Sequence, residues 1–185
     1  MTERCAWAGT EPIYTAYHDD EWGVPEYDSR ALWEKLVLDG FQAGLSWITI
    51  LKKRDNFRAA FAGFDPDLIA LWGEADVLRC LADSGIIRHR GKIEATIGNA
   101  KAWQKIQAQQ GFDRFLWDYV GGKPILNHRT GMGDIPVSTP LSERISKDLN
   151  KAGFKFCGPT IVYAFMQAVG MVDDHVVTCH RYSQA

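Results

Sequence analysis

Apolar residues recur at three- and four-residue spacing along most of this chain, and that period predicts helix. One set is Leu32, Trp33, Leu36 and Val37, behind a capping Asp28 or Ser29 and closing near Gly40. A second follows Ser46 and takes in Ile48, Ile50, Leu51, Phe57, Ala60 and Phe61 before Gly63. Asp65-Pro66 is an N-cap and first-turn pair that opens another helix. Residues 75–83 and 92–109 carry the helical period on either side of Gly85, and Gly111 ends the second run. A short helix fits residues 112–119. Thr139-Pro140 and Gly158-Pro159 open two more, which stop near Gly153 and Gly170. Alternating β-branched runs are short. Between Gly121 and Thr139 lies a loop of about twenty residues, a length found mostly in functional or mobile segments. The pattern predicts an all-α fold, one domain over residues 1–185, with irregular segments at both ends.

Composition narrows the class. With 46% hydrophobic and 24% charged residues the chain can fill a core, so disorder is not expected. No run approaches the length of a membrane-spanning helix, and Glu3 and Arg4 are not followed by the apolar stretch of a secretory signal. The expectation is a cytoplasmic monomer with no membrane partner. A net charge of −2 argues against a protein that coats polyanions generally. It leaves room for a local basic patch. Arg88, His89, Arg90 and Lys92 surround Gly91, and Lys52, Lys53 and Arg54 form a second run; the plain reading of either is a solvated face.

The chemistry-bearing residues fall into three groups. Of four cysteines, Cys80 and Cys157 sit among apolar neighbours and read as small core residues. Cys5 and His18 are separated by twelve residues, and His175 and Cys179 stand four apart. Two thiolates and two imidazoles make a complete tetrahedral zinc shell, with the second pair on one face of a helical turn. Such a shell has no open position for water, so its metal would be structural. The alternative is four unrelated surface or core residues. His180 rivals Cys179 but breaks the two-plus-two balance.

The second group lies in the N-terminal quarter. Trp7, Tyr14, Tyr17, Trp22 and Trp47 offer stacking faces, and Asp39 offers charge. Together they suit a flat, cationic or polarisable ligand such as a nucleobase. Asp39 falls at a predicted helix C-terminus, where the helix dipole disfavours a negative charge. It therefore wants a partner, which is either a cation, the backbone donors of the next helix or a ligand's amino group. Gly44-Leu45 follows at a loop tip, where Leu45 is either a wedge for a base stack or a core residue. The third group is the turn over residues 82–92. Gly85 and Gly91 bracket a tight basic segment between two helices, as in a helix-hairpin-helix that grips a DNA backbone.

Four motifs bring these groups together: Tyr17-His18-Asp19-Asp20-Glu21-Trp22-Gly23-Val24-Pro25, Gln42-Ala43-Gly44-Leu45-Ser46-Trp47, Ile87-Arg88-His89-Arg90-Gly91-Lys92-Ile93 and Asp174-His175-Val176-Val177. Their order, from Cys5 to Cys179, closely resembles the DNA-3-methyladenine glycosylase I family. The resemblance implies a helix-hairpin-helix glycosylase fold with one structural Zn2+ on Cys5, His18, His175 and Cys179. It implies excision of 3-methyladenine from alkylated double-stranded DNA, without lyase activity. It carries the base pocket onto Trp7, Tyr14, Tyr17, Trp22 and Trp47 and the catalytic carboxylate onto Asp39. The DNA contacts expected beside it, from the loop tip and the hairpin, are Gln42, Gly44, Leu45, Gly85, Arg88, Arg90, Gly91 and Lys92. The family typically has glutamate where this chain has Asp39, one methylene shorter, and Phe41 adds a bulky ring beside Gln42. Two other functions compete. One is a catalytically weak DNA-binding relative that recognises alkylated bases. The other is a zinc hydrolase of small molecules, which a closed four-ligand shell argues against.

Overall fold

Each predicted helix has an identifiable start. In the computed structural model, which describes residues 3–183, the α-helices are α1 (Pro12–Asp20), α2 (Ser29–Gln42), α3 (Trp47–Ala60), α4 (Pro66–Ile69), α5 (Glu74–Ala82), α6 (Arg90–Gln109), α7 (Phe112–Trp117), α8 (Pro140–Lys151) and α9 (Pro159–Ala168). Asp28 opens α2 by accepting from the N–H groups of Arg30 and Ala31 at 3.1 and 2.8 Å. Asp65 does the same for α4 with Asp67 and Leu68. Thr139 and Ser142 bond each other's backbone N–H at the start of α8. These side chains replace partners that a helix end lacks.

The core runs from Trp33 and Phe64 through Ile93 and Phe112 to Phe154 and Phe165, all buried. α2 is its axis and packs against α3, α6, α7 and α9. From Leu36 to Phe41 every residue of α2 is buried, Asp39 included. The helix closes near Gly40, as expected, but Gly40 lies inside it. α2 runs on to Gln42, and a Cβ at Gly40 would stand 3.2 Å from the Phe156 carbonyl oxygen. The glycine is there for close packing.

Two segments predicted to be irregular are more ordered than expected. The N-terminal one contains α1, with His18 in its last turn. The segment from Gly121 to Thr139 is tied to the C-terminal segment by a short parallel pair, β1 (Ile125–Leu126) with β2 (Val172–Asp173). Ile125 and Asn127 donate to the carbonyls of Met171 and Asp173, and Val177 donates to that of Arg129. Asp174 lies beneath this seam with no solvent exposure. Its carboxylate accepts from Asn127, Arg129, Tyr163 and Gln167 at 2.6–2.9 Å. A four-donor carboxylate fixes the loop, α9 and the C-terminal segment to one another.

Candidate active site

A cavity of about 210 Å³ opens between α1, α2, the start of α3, α9 and the segment from Gly121 to Thr139. Typical drug-sized sites begin at roughly 300 Å³, so this one suits a single small heterocycle. Trp7, Tyr14, Tyr17, Trp22 and Trp47 all line it. Trp7 packs on Tyr14 and Trp22 at 5.1 and 5.0 Å between ring centres, and Tyr17 on Trp47 at 5.4 Å. Met132, Ile135, Ala164 and Ala168 complete the apolar wall.

The polar lining is sparse: Lys35, Asp39, Gln42 and Gln167. Asp39 is only 2% exposed. Its Oδ1 accepts from Lys35 Nζ at 2.8 Å, one helical turn earlier, while its buried Oδ2 has no partner. The Trp47 indole N–H is also buried and unpartnered. Such orphans are rare in folded proteins, and two of them facing one cavity call for a polar partner there. Burial pushes the Asp39 carboxyl above its ordinary value, and Lys35 partly offsets this. The Lys35 ammonium is lowered by the same burial and raised by Asp39. It stands 3.4 Å from the Trp47 ring centre. Tyr17 is held well above its usual value, by burial first and the nearby Asp39 charge second.

Lys35, Gln167, Met132 and Ile135 were not anticipated. Lys35 had a readable signal, since it precedes Asp39 by four on a predicted helix. Met132 and Ile135 had only the length of their loop. Gln167 had none, because Asp174 holds its amide.

Against this cavity lies a cysteine–histidine corner. The ligand atoms of Cys5, His18 and Cys179 all fall within 4.8 Å of one another. His175 is beside them, its ring centre 5.2 Å from that of His18. Both imidazoles use Nδ1 on a carboxylate, His18 with Asp19 and His175 with Asp173, each at 2.8 Å. That fixes the rings. The His18 Nε2 lies 3.5 Å from Cys179 Sγ, whereas the His175 Nε2 is buried with no partner and falls outside the 4.8 Å group. Burial pushes the Cys5 thiol up to about 12, so a thiolate there calls for an adjacent cation. Gly23 at φ +80° touches this corner, and a Cβ would sit 2.7 Å from His175 Cε1. Trp22 bridges to the cavity, its ring centre 4.7 Å from that of His175. The His175–Cys179 spacing is not spanned by a helical turn. It follows β2 as a tight turn, in which the Cys179 N–H donates to the Val176 carbonyl. His180 is exposed and donates from Nδ1 to the Glu3 carbonyl.

The remaining predicted residues frame two outer features. Gln42 ends α2 and reaches the cavity rim. Gly44, at φ +82°, turns the chain so that Leu45 is 42% exposed before α3 begins. The second feature is the turn between α5 and α6. Its Gly85 N–H donates to Asp83, and Asn56 of α3 donates to the Gly85 carbonyl. His89 caps α6 by accepting from the Lys92 N–H at 3.1 Å. Gly91 follows in the first turn of α6, where a Cβ would lie 3.1 Å from His89 Cε1. Arg88 is exposed on this turn.

Two cations of this turn have partners within the fold. Lys92 is buried, and its ammonium donates to the carbonyls of Phe41 and Ala43 at 2.9 and 2.8 Å. It satisfies the C-terminal end of α2 across the core instead of facing outward. Arg90 is held by Glu74 and Glu94 at 2.8 and 2.9 Å, which cancels much of its charge. In the other basic run, Lys52 pairs with Glu11 and Arg54 with Glu21.

The profile of the methyladenine glycosylase family matches residues 7–182. DNA-3-methyladenine glycosylase 1 of Escherichia coli (strain K12) is 55% identical over 181 residues, covering 97% of each chain. A crystal structure of a 3-methyladenine DNA glycosylase I superposes with a TM-score of 0.96 at 53% identity, covering 98% of this chain and 100% of that one. A tyrosine-to-phenylalanine variant of a 3-methyladenine DNA glycosylase I, in complex with 3-methyladenine, gives a TM-score of 0.94 at 38% identity and covers 98% of each. Among the described residues, no helix is long and apolar enough to cross a membrane.

Proposed function

This chain belongs to the methyladenine glycosylase family, and on that premise we infer that it is a DNA repair enzyme whose aromatic cavity takes one flipped 3-methyladenine and hydrolyses its N-glycosyl bond. The observation that carries this reading is the buried, unpartnered Asp39 oxygen among five aromatic rings. The product on DNA is an abasic site.

The chemistry asks little of the protein. Methylation at N3 makes the adenine cationic and therefore a good leaving group. The C1′–N bond breaks with its electron pair moving to the base, which cancels that charge. Water bonds to C1′ and releases a proton to solvent. The enzyme has to extrude the base, hold it and admit water. Ring faces favour the cationic base over neutral adenine by ~0.5–2 kcal/mol per good contact. Asp39 Oδ2 accepts from the exocyclic amine, and its negative charge stabilises the electron-poor transition state. No amine need attack C1′, so the enzyme is a monofunctional hydrolase.

On the DNA side, Leu45 is the wedge that fills the gap left by the extruded base, with Gln42 and Gly44 beside it. The α5–α6 turn, with Gly85, Gly91 and Arg88, holds the backbone without reading sequence. Cys5, His18, His175 and Cys179 would hold one structural Zn2+, and the buried, unpartnered Nε2 of His175 supports that assignment. When bound there, the metal would neutralise two buried thiolates and fasten the two segments beside Trp22.

One observation favours a second reading, a relative that binds alkylated bases and cuts slowly: Lys35 already pairs the short carboxylate. Release of free 3-methyladenine from methylated duplex DNA separates the two. Multiple turnovers support the enzyme, and stoichiometric binding with no release at saturating protein supports the weak relative.

A further inference from the structure

The pocket already contains a cation. Lys35 Nζ lies 2.8 Å from Asp39 Oδ1, 3.4 Å from the Trp47 ring centre and 5.7 Å from that of Tyr17. A carboxylate and two aromatic faces are the chemistry that recognises a cationic heterocycle. Here one side chain of the protein takes up that recognition while the site waits. With Lys35 in place the pair is neutral, and a cationic base would add a second positive charge to a buried site. With Lys35 gone, base and carboxylate would neutralise each other.

There is room for Lys35 to leave. A second cavity of about 230 Å³ adjoins the first, with Tyr17, Lys35 and Ala168 lining both. Its wall carries the carboxylates of Asp20, Glu21, Glu26 and Glu34. Arg54 and Arg58 also line it and pair with Glu21 and Glu34, while Asp20 and Glu26 have no ion pair among the described residues. A lysine stem has four rotatable bonds, so its head can reach either side from one backbone position.

From this arrangement we propose that Lys35 is a resident competitor for the cationic base: it occupies the Trp47–Asp39 site in the free protein and moves into the adjoining acidic cavity when 3-methyladenine enters. The proposal rests on the reading of the pocket as a base site. Its consequence is that any base must displace the lysine, so the apparent affinity of the site falls by the fraction of time the ammonium leaves it free.

The test compares wild type with Lys35→Met, of similar length and without charge, and with Lys35→Arg. Steady-state release of 3-methyladenine from methylated duplex DNA gives KM and kcat. If the ammonium holds the site nine-tenths of the time, its removal lowers KM about tenfold, with kcat within about threefold. Lys35→Arg keeps KM at or above the wild-type value. Tryptophan emission of the free protein changes on Lys35→Met, and that change vanishes in a Trp47→Phe background. A raised KM or a tenfold loss of kcat in Lys35→Met overturns the proposal, because Lys35 then assists Asp39 instead of competing. If no variant releases base, the reading of the pocket fails, and the emission change still decides whether the ammonium sits on Trp47.

Discussion

Two buried aspartates of this protein have opposite surroundings. Asp174 is fully buried and accepts from four side chains, one of them the charged Arg129. Asp39 is 2% exposed and accepts from Lys35 alone, with one oxygen unpaired. Burial is the same, so burial does not tell a structural carboxylate from a reactive one. The number of donors does. Asp174 has its hydrogen bonds made within the fold and ties three segments together. Asp39 keeps a buried acceptor open, at a cost to stability, and on the proposed reading the flipped base takes it.

The contrast can be broken by substitution. Asp174→Asn leaves Arg129 without its countercharge and sets amide protons against existing donors. Stability should fall by about 3–5 kcal/mol, read as a lower midpoint in urea denaturation. An unchanged midpoint would show that the four contacts do not act as a tie. Tyr163→Phe removes one of the four donors and should cost about 1–2 kcal/mol in the same measurement.

The pH dependences of Asp39 sharpen the comparison because they run in opposite directions. Its folded pKa lies above the ordinary 3.8. The folded state therefore holds the proton in a window where the unfolded chain has lost it. The stability associated with this group is present below 3.8 and is lost as pH rises through the raised value. Activity behaves the other way, because the ionised form is the one that holds the cationic base. It should fall as pH drops through a pKa above 3.8, and an acid limb at or below that value would contradict the burial argument. The smallest effect belongs to the hairpin. Arg88→Ala should weaken duplex binding uniformly across sequences and reduce the salt slope by about one, whereas Arg90→Ala, already paired with Glu74 and Glu94, should change it less.

Much of this contrast was legible in the sequence. Periodic apolar positions and their caps gave the helices, and five rings named from composition and spacing meet in one cavity. Asp39 was legible as a carboxylate needing a partner, and its cation stood four residues away on the same helix. Lys92 was not legible, because its acceptors, Phe41 and Ala43, lie 51 and 49 residues earlier. The pairing of Arg90 was not legible for the same kind of reason: a basic run in sequence says nothing of Glu74, which α5 delivers from 16 residues away. The order in the segment from Gly121 to Thr139 depends on β2 and Asp174, near the other end of the chain. Local pattern fixes elements and shared faces, while charge pairing across elements needs the packed structure.

Single-turnover release of 3-methyladenine by Asp39→Asn bears most directly on the central claim, that the open oxygen of Asp39 takes part in excision. The substitution keeps the shape and removes the charge. The rate should fall by about 100-fold or more, with the urea midpoint near that of wild type and well above that of Asp174→Asn. Release at the wild-type rate by a folded Asp39→Asn protein would contradict the account.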